Sequence, residues 1–292
     1  MKPAPFDYRA PQTVAEALSV YADLGPDAKL LAGGQSLLPL LGLRMAAPTA
    51  LVDLGRVAEL GHHRIDNGEL VVGAMCRHRD IELDESIRSV APIISEAVSN
   101  IGHVAIRNRG TVGGSIAHSD PTAEWTVLAM LLGAKMIARS RTGTREIAAA
   151  DFFAGFLENT LQPGEILVEI RFPLPAEGTH SAFVELARRH GDFAICAAGS
   201  LVGTDDRGRM TSAQVAVSGA APAAVRLPAV EELLVGEQPS EQIFEAAGKL
   251  AAEGAKPQAD LHGDVDYHRR LVGVIVKRSL QRALSNEQAN SK

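Results

Sequence analysis

Three features of the sequence predict an α+β fold. Helical and strand patterns are mixed before Pro173, strand-like runs precede helices after it, and neither a regular βαβ alternation nor an internal repeat is present. The 292 residues suffice for two or three compact domains or one large one. With 46% apolar and 22% charged residues the composition is that of an ordinary globular chain, whose core needs no metal or disulfide.

Near the N-terminus, Thr13 and Glu16 have capping-box spacing and Val14, Leu18 and Tyr21 recur on one face, so residues 13–24 are expected to be a helix. Lys29-Leu30-Leu31 follows as a short strand and runs into Ala32-Gly33-Gly34-Gln35-Ser36, where Ser36 is placed to cap a short helix whose first turn tolerates Pro39. Residues 49–53 and 69–73 form further strands. Apolar residues at Ile87, Val90, Ala91, Ile94, Ala97 and Val98 predict one amphipathic helix over 86–98. The glycine-bearing segment 102–119 has no helical period. Asp120-Pro121 then supplies a cap and a first-turn proline for a helix running through Glu124 to Leu132. A hairpin turning near Thr142-Gly143 spans 135–147, and 165–173 is a strand ending at a proline.

Pro173-Leu174-Pro175-Ala176-Glu177-Gly178 is a composition break that reads as a linker. Strands are expected at 180–188, 193–203 and 209–218, the last two joined by a turn at Asp205-Asp206-Arg207-Gly208. Helices follow at 228–234, 240–252 and 267–284, with Leu271, Val274, Ile275 and Leu284 on one face of the last. Residues from Ser285 onward read as a solvated tail.

The net charge of −6, with neither sign concentrated in a tail, argues against a nucleic-acid binder that works by releasing phosphate counterions. Cys76 and Cys196 stand alone, without zinc spacing, so an iron–sulfur cluster carried by this chain is not expected. Uncharged stretches such as 30–43 are broken by glycine and proline, and the N-terminus lacks the apolar region of a secretory signal. A cytoplasmic protein is expected, with no transmembrane segment.

Two glycine doublets carry the main chemical signal: Ala32-Gly33-Gly34-Gln35-Ser36 and Thr111-Val112-Gly113-Gly114-Ser115. Adjacent glycines can turn consecutive N–H groups into one concavity that suits a phosphate or pyrophosphate, although a doublet alone between a strand and a helix is more often just a tight turn. Together they suit the diphosphate of a dinucleotide. The G-x-G-x-x-G, Walker and G-x-S-x-G patterns are absent.

These loops, taken with Ile106-Arg107-Asn108-Arg109-Gly110 before the second, Ile116-Ala117-His118 after it, and Arg188-Arg189-His190-Gly191-Asp192-Phe193-Ala194, resemble the FAD-binding medium subunit of molybdenum hydroxylases, the carbon-monoxide-dehydrogenase and xanthine-dehydrogenase group. The resemblance extends over residues 1–285 in order and spacing. It implies a vanillyl-alcohol-oxidase (PCMH)-type FAD domain over 1–175, in two α+β parts of about 1–55 and 56–175. A smaller α+β domain of the CO-dehydrogenase flavoprotein type over 178–285 follows, and 286–292 is left as the tail.

By the same resemblance, Ala32, Gly33, Gly34, Gln35 and Ser36 would wrap the FAD pyrophosphate and Ile101 and Gly102 would lie along the nucleotide. Thr111, Gly113, Gly114, Ser115, Ala117 and His118 would form a second cradle. Glu124 matches a carboxylate that holds the flavin or its ribityl chain, Ile166 and Leu167 match apolar wall positions, and Phe193 would shield the isoalloxazine. Ser115 stands where relatives carry Asp or Asn, and Glu185 where some carry Lys, which alters the hydrogen bonds available to FAD at both places.

Plainer readings stand beside these. His118 is either a flavin contact or a histidine bonding backbone, and Glu124 either a ligand or a carboxylate favouring a helix N-terminus. Arg107 and Arg109 either pair with phosphates or face solvent or a partner. Arg188, Arg189 and Asp192 read as a polar turn joining the domains that either bonds to the flavin edge or merely orders the link, His62, His63, His78 and His103 read as surface or loop residues, and Trp125 reads as core.

The function implied is that of an electron-transfer subunit. Electrons from a large molybdenum-cofactor subunit would pass through the [2Fe–2S] clusters of a small subunit to this FAD, and on to NAD, a quinone or another acceptor. A dimer of heterotrimers, cytoplasmic or held at the inner face of the membrane through partners, is the expected assembly. The alternatives are a self-contained FAD oxidoreductase of the same fold and a non-catalytic nucleotide-binding scaffold.

Overall fold

The computed structural model describes residues 2–285, and the tail expected at 286–292 lies outside them. The chain begins with a parallel sheet built from β1 (Asp7–Arg9), α1 (Val14–Leu24), β2 (Ala28–Leu31), α2 (Leu37–Gly42) and β3 (Ala50–Asp53), in strand order β1-β3-β2. α1 starts at the expected cap: the Thr13 hydroxyl accepts the Glu16 N–H (3.1 Å), while the Glu16 carboxylate accepts the N–H of Gln12 (2.8 Å). Val14, Ala17 and Leu18 from α1 pack with Leu54, Val57 and Leu60 in a small core that also takes in Met75 and Ile166.

The next stretch comprises β4 (His63–Asp66), β5 (Glu69–Gly73), α3 (His78–Leu83), α4 (Glu85–Val90), α5 (Pro92–Asn100), α6 (Val104–Arg107), α7 (Val112–His118) and α8 (Glu124–Leu132). It continues with β6 (Lys135–Arg139), β7 (Thr144–Ala148), α9 (Ala149–Phe152), β8 (Phe153–Gly155), β9 (Glu158–Asn159) and β10 (Ile166–Pro173). Five strands form an antiparallel sheet of order β4-β5-β10-β6-β7, so β10 closes it by entering between two hairpins made earlier in the chain.

Three expectations change here. The helix expected over 86–98 is two, because Pro92 takes the first position of α5 and drives Ala91 out of the helical region (φ −146°, ψ 65°). The segment 102–119 contains α6 and α7; the apolar period is missing because α7 carries two glycines and small residues, yet Thr111 caps it by accepting the Gly114 N–H (3.0 Å). Asp120 does not cap α8. Its carboxylate accepts the N–H (2.9 Å) and hydroxyl (2.7 Å) of Thr122 in a turn, which leaves Glu124 as the first helical residue.

β11 (His180–Leu186), β12 (Cys196–Thr204), β13 (Met210–Val217) and β14 (Val225–Arg226) make a four-stranded antiparallel sheet in that order. α10 (Pro228–Leu234), α11 (Glu241–Gly254) and α12 (Val265–Ser285) cover one face, where Val202 and Val215 meet Leu271, Ile275 and Leu284. Val274, expected on that face, is exposed. The other sheet face is not free: Phe183, Ala197, Leu201 and Ala216 share a core with Ile93, Trp125 and Leu128. This two-sided burial follows from the period-two alternation of the strands. Glu96 of α5 accepts the Phe183 N–H (2.8 Å) and pairs with Arg282 of α12, joining the helical layer to the sheet. Among the described residues, no helix is long and apolar enough to cross a membrane.

α7 lies close to the strand end at β5. The N–H of Gly113 donates to the Ala74 carbonyl (3.0 Å), and a Cβ at Gly113 would sit 2.5 Å from the Ala74 Cα. Gly113→Ala must therefore displace backbone, and urea unfolding should show a loss of about 3 kcal/mol. An unchanged midpoint would mean that α7 is not held at this distance.

Candidate functional site

The two glycine loops meet. Gly33 lies against the backbone of the second loop, where a Cβ would overlap the Arg109 carbonyl oxygen and come within 2.7 Å of the Gly110 Cα. A Cβ on Gly114 would lie 3.2 Å from that of Ala32. Gly34 has φ +74°, the left-handed region that glycine adopts without strain. Only residues without side chains let two backbones approach this closely.

The loops differ in what their amides do. In the second, the Val112, Gly113, Gly114 and Ser115 N–H groups are engaged by the Cys76 carbonyl, the Ala74 carbonyl, the Thr111 hydroxyl and the Thr111 carbonyl (all 3.0 Å). In the first, the N–H groups of Gly33, Gly34, Gln35 and Ser36 donate to no group among the described residues. The Gln35 side chain folds back to the Gly33 carbonyl (3.0 Å), and Ser36, expected to cap α2, makes no side-chain capping bond. Four consecutive half-buried donors without partners make an anion seat, which fits the diphosphate of a dinucleotide. The second loop serves as its rigid backing.

Buried polar residues that local sequence patterns did not reveal brace this backing. Arg107 is 6% exposed, and its guanidinium holds both Glu82 carboxylate oxygens (2.7 and 3.0 Å) and the carbonyls of Ile101 and Gly102 (3.0 Å each). It is thereby committed to structure and not to phosphate. His78 is 4% exposed, contrary to the surface reading. Its Nδ1 accepts the Trp125 indole N–H (3.0 Å), and burial beside Arg107 and Arg77 pushes its pKa down to about 3, so the ring is neutral. The buried indole of Trp125 is a signal that such a partner had to exist. Arg77 adds a bond from its guanidinium to the Arg109 carbonyl.

Further along α7, the Ala117 carbonyl accepts the Asn159 side-chain amide (2.8 Å). The His118 ring is half-buried and makes no hydrogen bond among the described residues, which removes the reading of a histidine bonding backbone. Ile166 and Leu167 are core side chains, in the small N-terminal core and the main core respectively.

Glu124 and Glu185 lie in a second region. Glu124 is 8% exposed; burial, the nearby charge of Glu185 and that of Asp120 push its pKa up to about 8, while burial pushes Glu185 up to about 7. Glu185 lines a cleft of about 260 Å³ with Asn100, Leu186, Ala187, Arg188, Arg189 and His190. Phe193, beyond the turn, is 67% exposed.

Comparison with known proteins covers nearly the whole chain. Residues 4–175 match the FAD binding domain in molybdopterin dehydrogenase, and residues 181–283 match the CO dehydrogenase flavoprotein C-terminal domain. The chain is 39% identical over 284 residues to 6-hydroxypseudooxynicotine dehydrogenase complex subunit alpha of Paenarthrobacter nicotinovorans, covering 97% of this chain and 96% of the relative. It is 37% identical over 284 residues to the carbon monoxide dehydrogenase medium chain of Hydrogenophaga pseudoflava, covering 97% and 98%. The solved structure of quinoline 2-oxidoreductase from Pseudomonas putida 86 superposes with a TM-score of 0.93 at 39% identity, over 98% of this chain and 99% of that one.

Folding raises the affinity of Glu124 for a proton. Between the ordinary carboxylate range and about pH 8 the folded protein binds a proton there that the unfolded chain lacks, so stability falls as pH rises through this window. Glu124→Gln is neutral throughout and should flatten the fall, by roughly 3–5 kcal/mol between pH 5 and pH 8.5 in urea unfolding. Parallel curves for the two proteins would contradict the burial of an ionisable Glu124.

Proposed function

The chain belongs to the FAD-binding medium-subunit family of the molybdenum hydroxylases, and we propose that it is the electron-transfer flavoprotein of such a complex. In this reading it receives electrons from [2Fe–2S] clusters of a small partner subunit, which is fed by a large molybdenum-cofactor subunit, and delivers them to NAD, a quinone or another acceptor. The assembly is a dimer of heterotrimers in the cytoplasm. The observation that carries the reading is the first glycine loop, with its four unpartnered amides held against a second loop whose amides are engaged.

When bound, FAD supplies both one- and two-electron chemistry, which suits a link between single-electron carriers and a two-electron acceptor. The protein's part is binding, orientation and electrostatics. The amides of Gly33 to Ser36 hold the diphosphate. Ile101 and Gly102, kept in place by Arg107, lie along the nucleotide, and Ser115, Ala117 and His118 on α7 complete the cradle. Glu124 and Glu185 face the flavin end and Phe193 covers it. Ile166 and Leu167 support the site from the core.

The relatives named for 6-hydroxypseudooxynicotine, carbon monoxide and quinoline are 37–39% identical to this chain along nearly its whole length. Such uniformity across unlike substrates supports a subunit that does not itself select the substrate.

Gly34→Val adds a Cβ 2.9 Å from Leu38 Cδ1 and forces a branched residue to φ +74°. The purified complex should lose at least about tenfold in FAD content, with its circular dichroism kept, since the strain is confined to one loop. Unaltered flavin content would refute the seat. A wild-type complex that purifies with two further chains and contains no flavin would refute the function.

A further inference from the structure

One carboxylate beside the seat has no part in the reading above. β2 leads into the first glycine loop, α2 leads out of it, and β3 returns parallel to β2 with Asp53 opposite Leu31. Asp53 therefore ends β3 one strand away from the residue that opens onto Ala32 and Gly33. Where a glycine loop joins two neighbouring parallel strands through a helix, it holds phosphates, and a carboxylate at the end of the second strand is within reach of the hydroxyls of the attached sugar. This placement follows from the strand order and does not need the G-x-G-x-x-G spacing.

The Asp53 carboxylate has acceptor positions to spare. Its Oδ1 accepts the Gly55 N–H (2.8 Å), which caps the single 3-10 turn Leu54–Arg56, and its Oδ2 accepts the Tyr8 hydroxyl (2.5 Å). Two carboxylate oxygens offer about four such positions, so each keeps one for a further donor. Tyr8 stands on β1, across β3 from β2, and is 50% exposed. Tyr8 is the register partner of Leu51 and Leu31 that of Asp53, and residues 51 and 53 point to the same side, so Tyr8, Leu31 and Asp53 share one face of the sheet. Gly34 sits against that face: a Cβ there would lie 3.4 Å from Leu31 Cδ1.

Two routes lead away from the seat. One follows the second loop back to Gly102, which lies against Gly191 of the polar turn, and so to the flavin end of the reading above. The other crosses the end of β3 to Asp53 and Tyr8. A dinucleotide held by its diphosphate sends one nucleoside along each. We propose that Asp53 accepts the ribose hydroxyls of the adenosine half of FAD, with the Tyr8 ring flanking the same sugar. The inference rests on the FAD reading and adds to it a residue that reads the cofactor's far end. A carboxylate accepting from neutral hydroxyls makes charge-assisted bonds, stronger than those between neutral groups, and the Tyr8 and Gly55 bonds fix its orientation before the ligand arrives.

The test uses the purified complex, stripped of flavin and titrated with FAD or with the FAD analogue whose adenosine lacks both ribose hydroxyls. Binding is followed by flavin fluorescence. The wild-type complex should bind the analogue about ten- to hundredfold more weakly than FAD, the range expected for hydrogen bonds to a charged group. Asp53→Asn keeps the side-chain shape and the acceptor for Gly55; it should weaken FAD about tenfold and reduce the preference for FAD over the analogue to a few-fold. Asp53→Ser, which also caps a turn, gives the same comparison should the first variant not fold. An Asp53 that only caps its turn predicts the wild-type preference in every variant. That result, or equal wild-type affinity for FAD and the analogue, overturns this inference and leaves the FAD reading standing. A wild-type complex that binds neither compound overturns both.

Discussion

The site depends on one backbone-to-backbone contact, that of Gly33 with Arg109 and Gly110. A side chain at Gly33 would separate the two loops, and the four unpartnered amides would face a gap instead of a wall. The contact is maintained from both sides. β2 and α2 deliver the first loop from a parallel sheet, while the second is fixed by the Thr111 cap, the close seating of Gly113 on Ala74 and the buried Arg107–Glu82 pair. The ion pair illustrates what buried charge does here. Truncating Arg107 would leave Glu82 to Arg79 alone and strand two carbonyls, so its contribution lies in holding the 101–111 segment in one arrangement and not in net stability.

Charge is handled in three ways in this molecule. The first loop leaves backbone donors open, which suits an anion that is not part of the chain. Arg107 and Glu82 pair through two hydrogen bonds, with the Ile101 and Gly102 carbonyls taking further Arg107 protons and Arg79 also holding Glu82. Glu124 and Glu185 are neither open nor satisfied, and their environment favours the protonated form. The contrast between engaged amides at 112–115 and open amides at 33–36 is the more informative because the two loops look alike in sequence. Two Gly-Gly doublets followed by serine suggest equivalent cradles, whereas the structure makes one a capped helix start and leaves the amides of the other without acceptors among the described residues.

What was legible in the sequence was local. The Thr13 cap, the turn near Gly143, the strands around the Asp205–Gly208 turn and both glycine loops are set by residues within a few positions of one another, and the order and spacing of the motifs carried the family resemblance. What was not legible depends on contacts made at long range. Trp125 and His78 are 47 residues apart, Arg107 and Glu82 are 25 apart, and nothing near His78 distinguishes a buried ring from a surface one. β1 and β4 are three or four mostly exposed residues without apolar alternation, Ile65 being the one aliphatic among them, so their pairing partners define them. The helix over 86–98 was read as one because α4 and α5 face the same core, so the apolar period runs across the break at Pro92.

The central claim is that the open amides of Gly33 to Ser36 hold the diphosphate of FAD while those of the second loop are already engaged. Residue-resolved hydrogen exchange of the protein with and without FAD tests it most directly. The account predicts that the amides of residues 33–36 exchange fast without FAD and become strongly protected with it, and that those of 112–115 are protected in both states. Bound FAD with no change in exchange at 33–36 would contradict it.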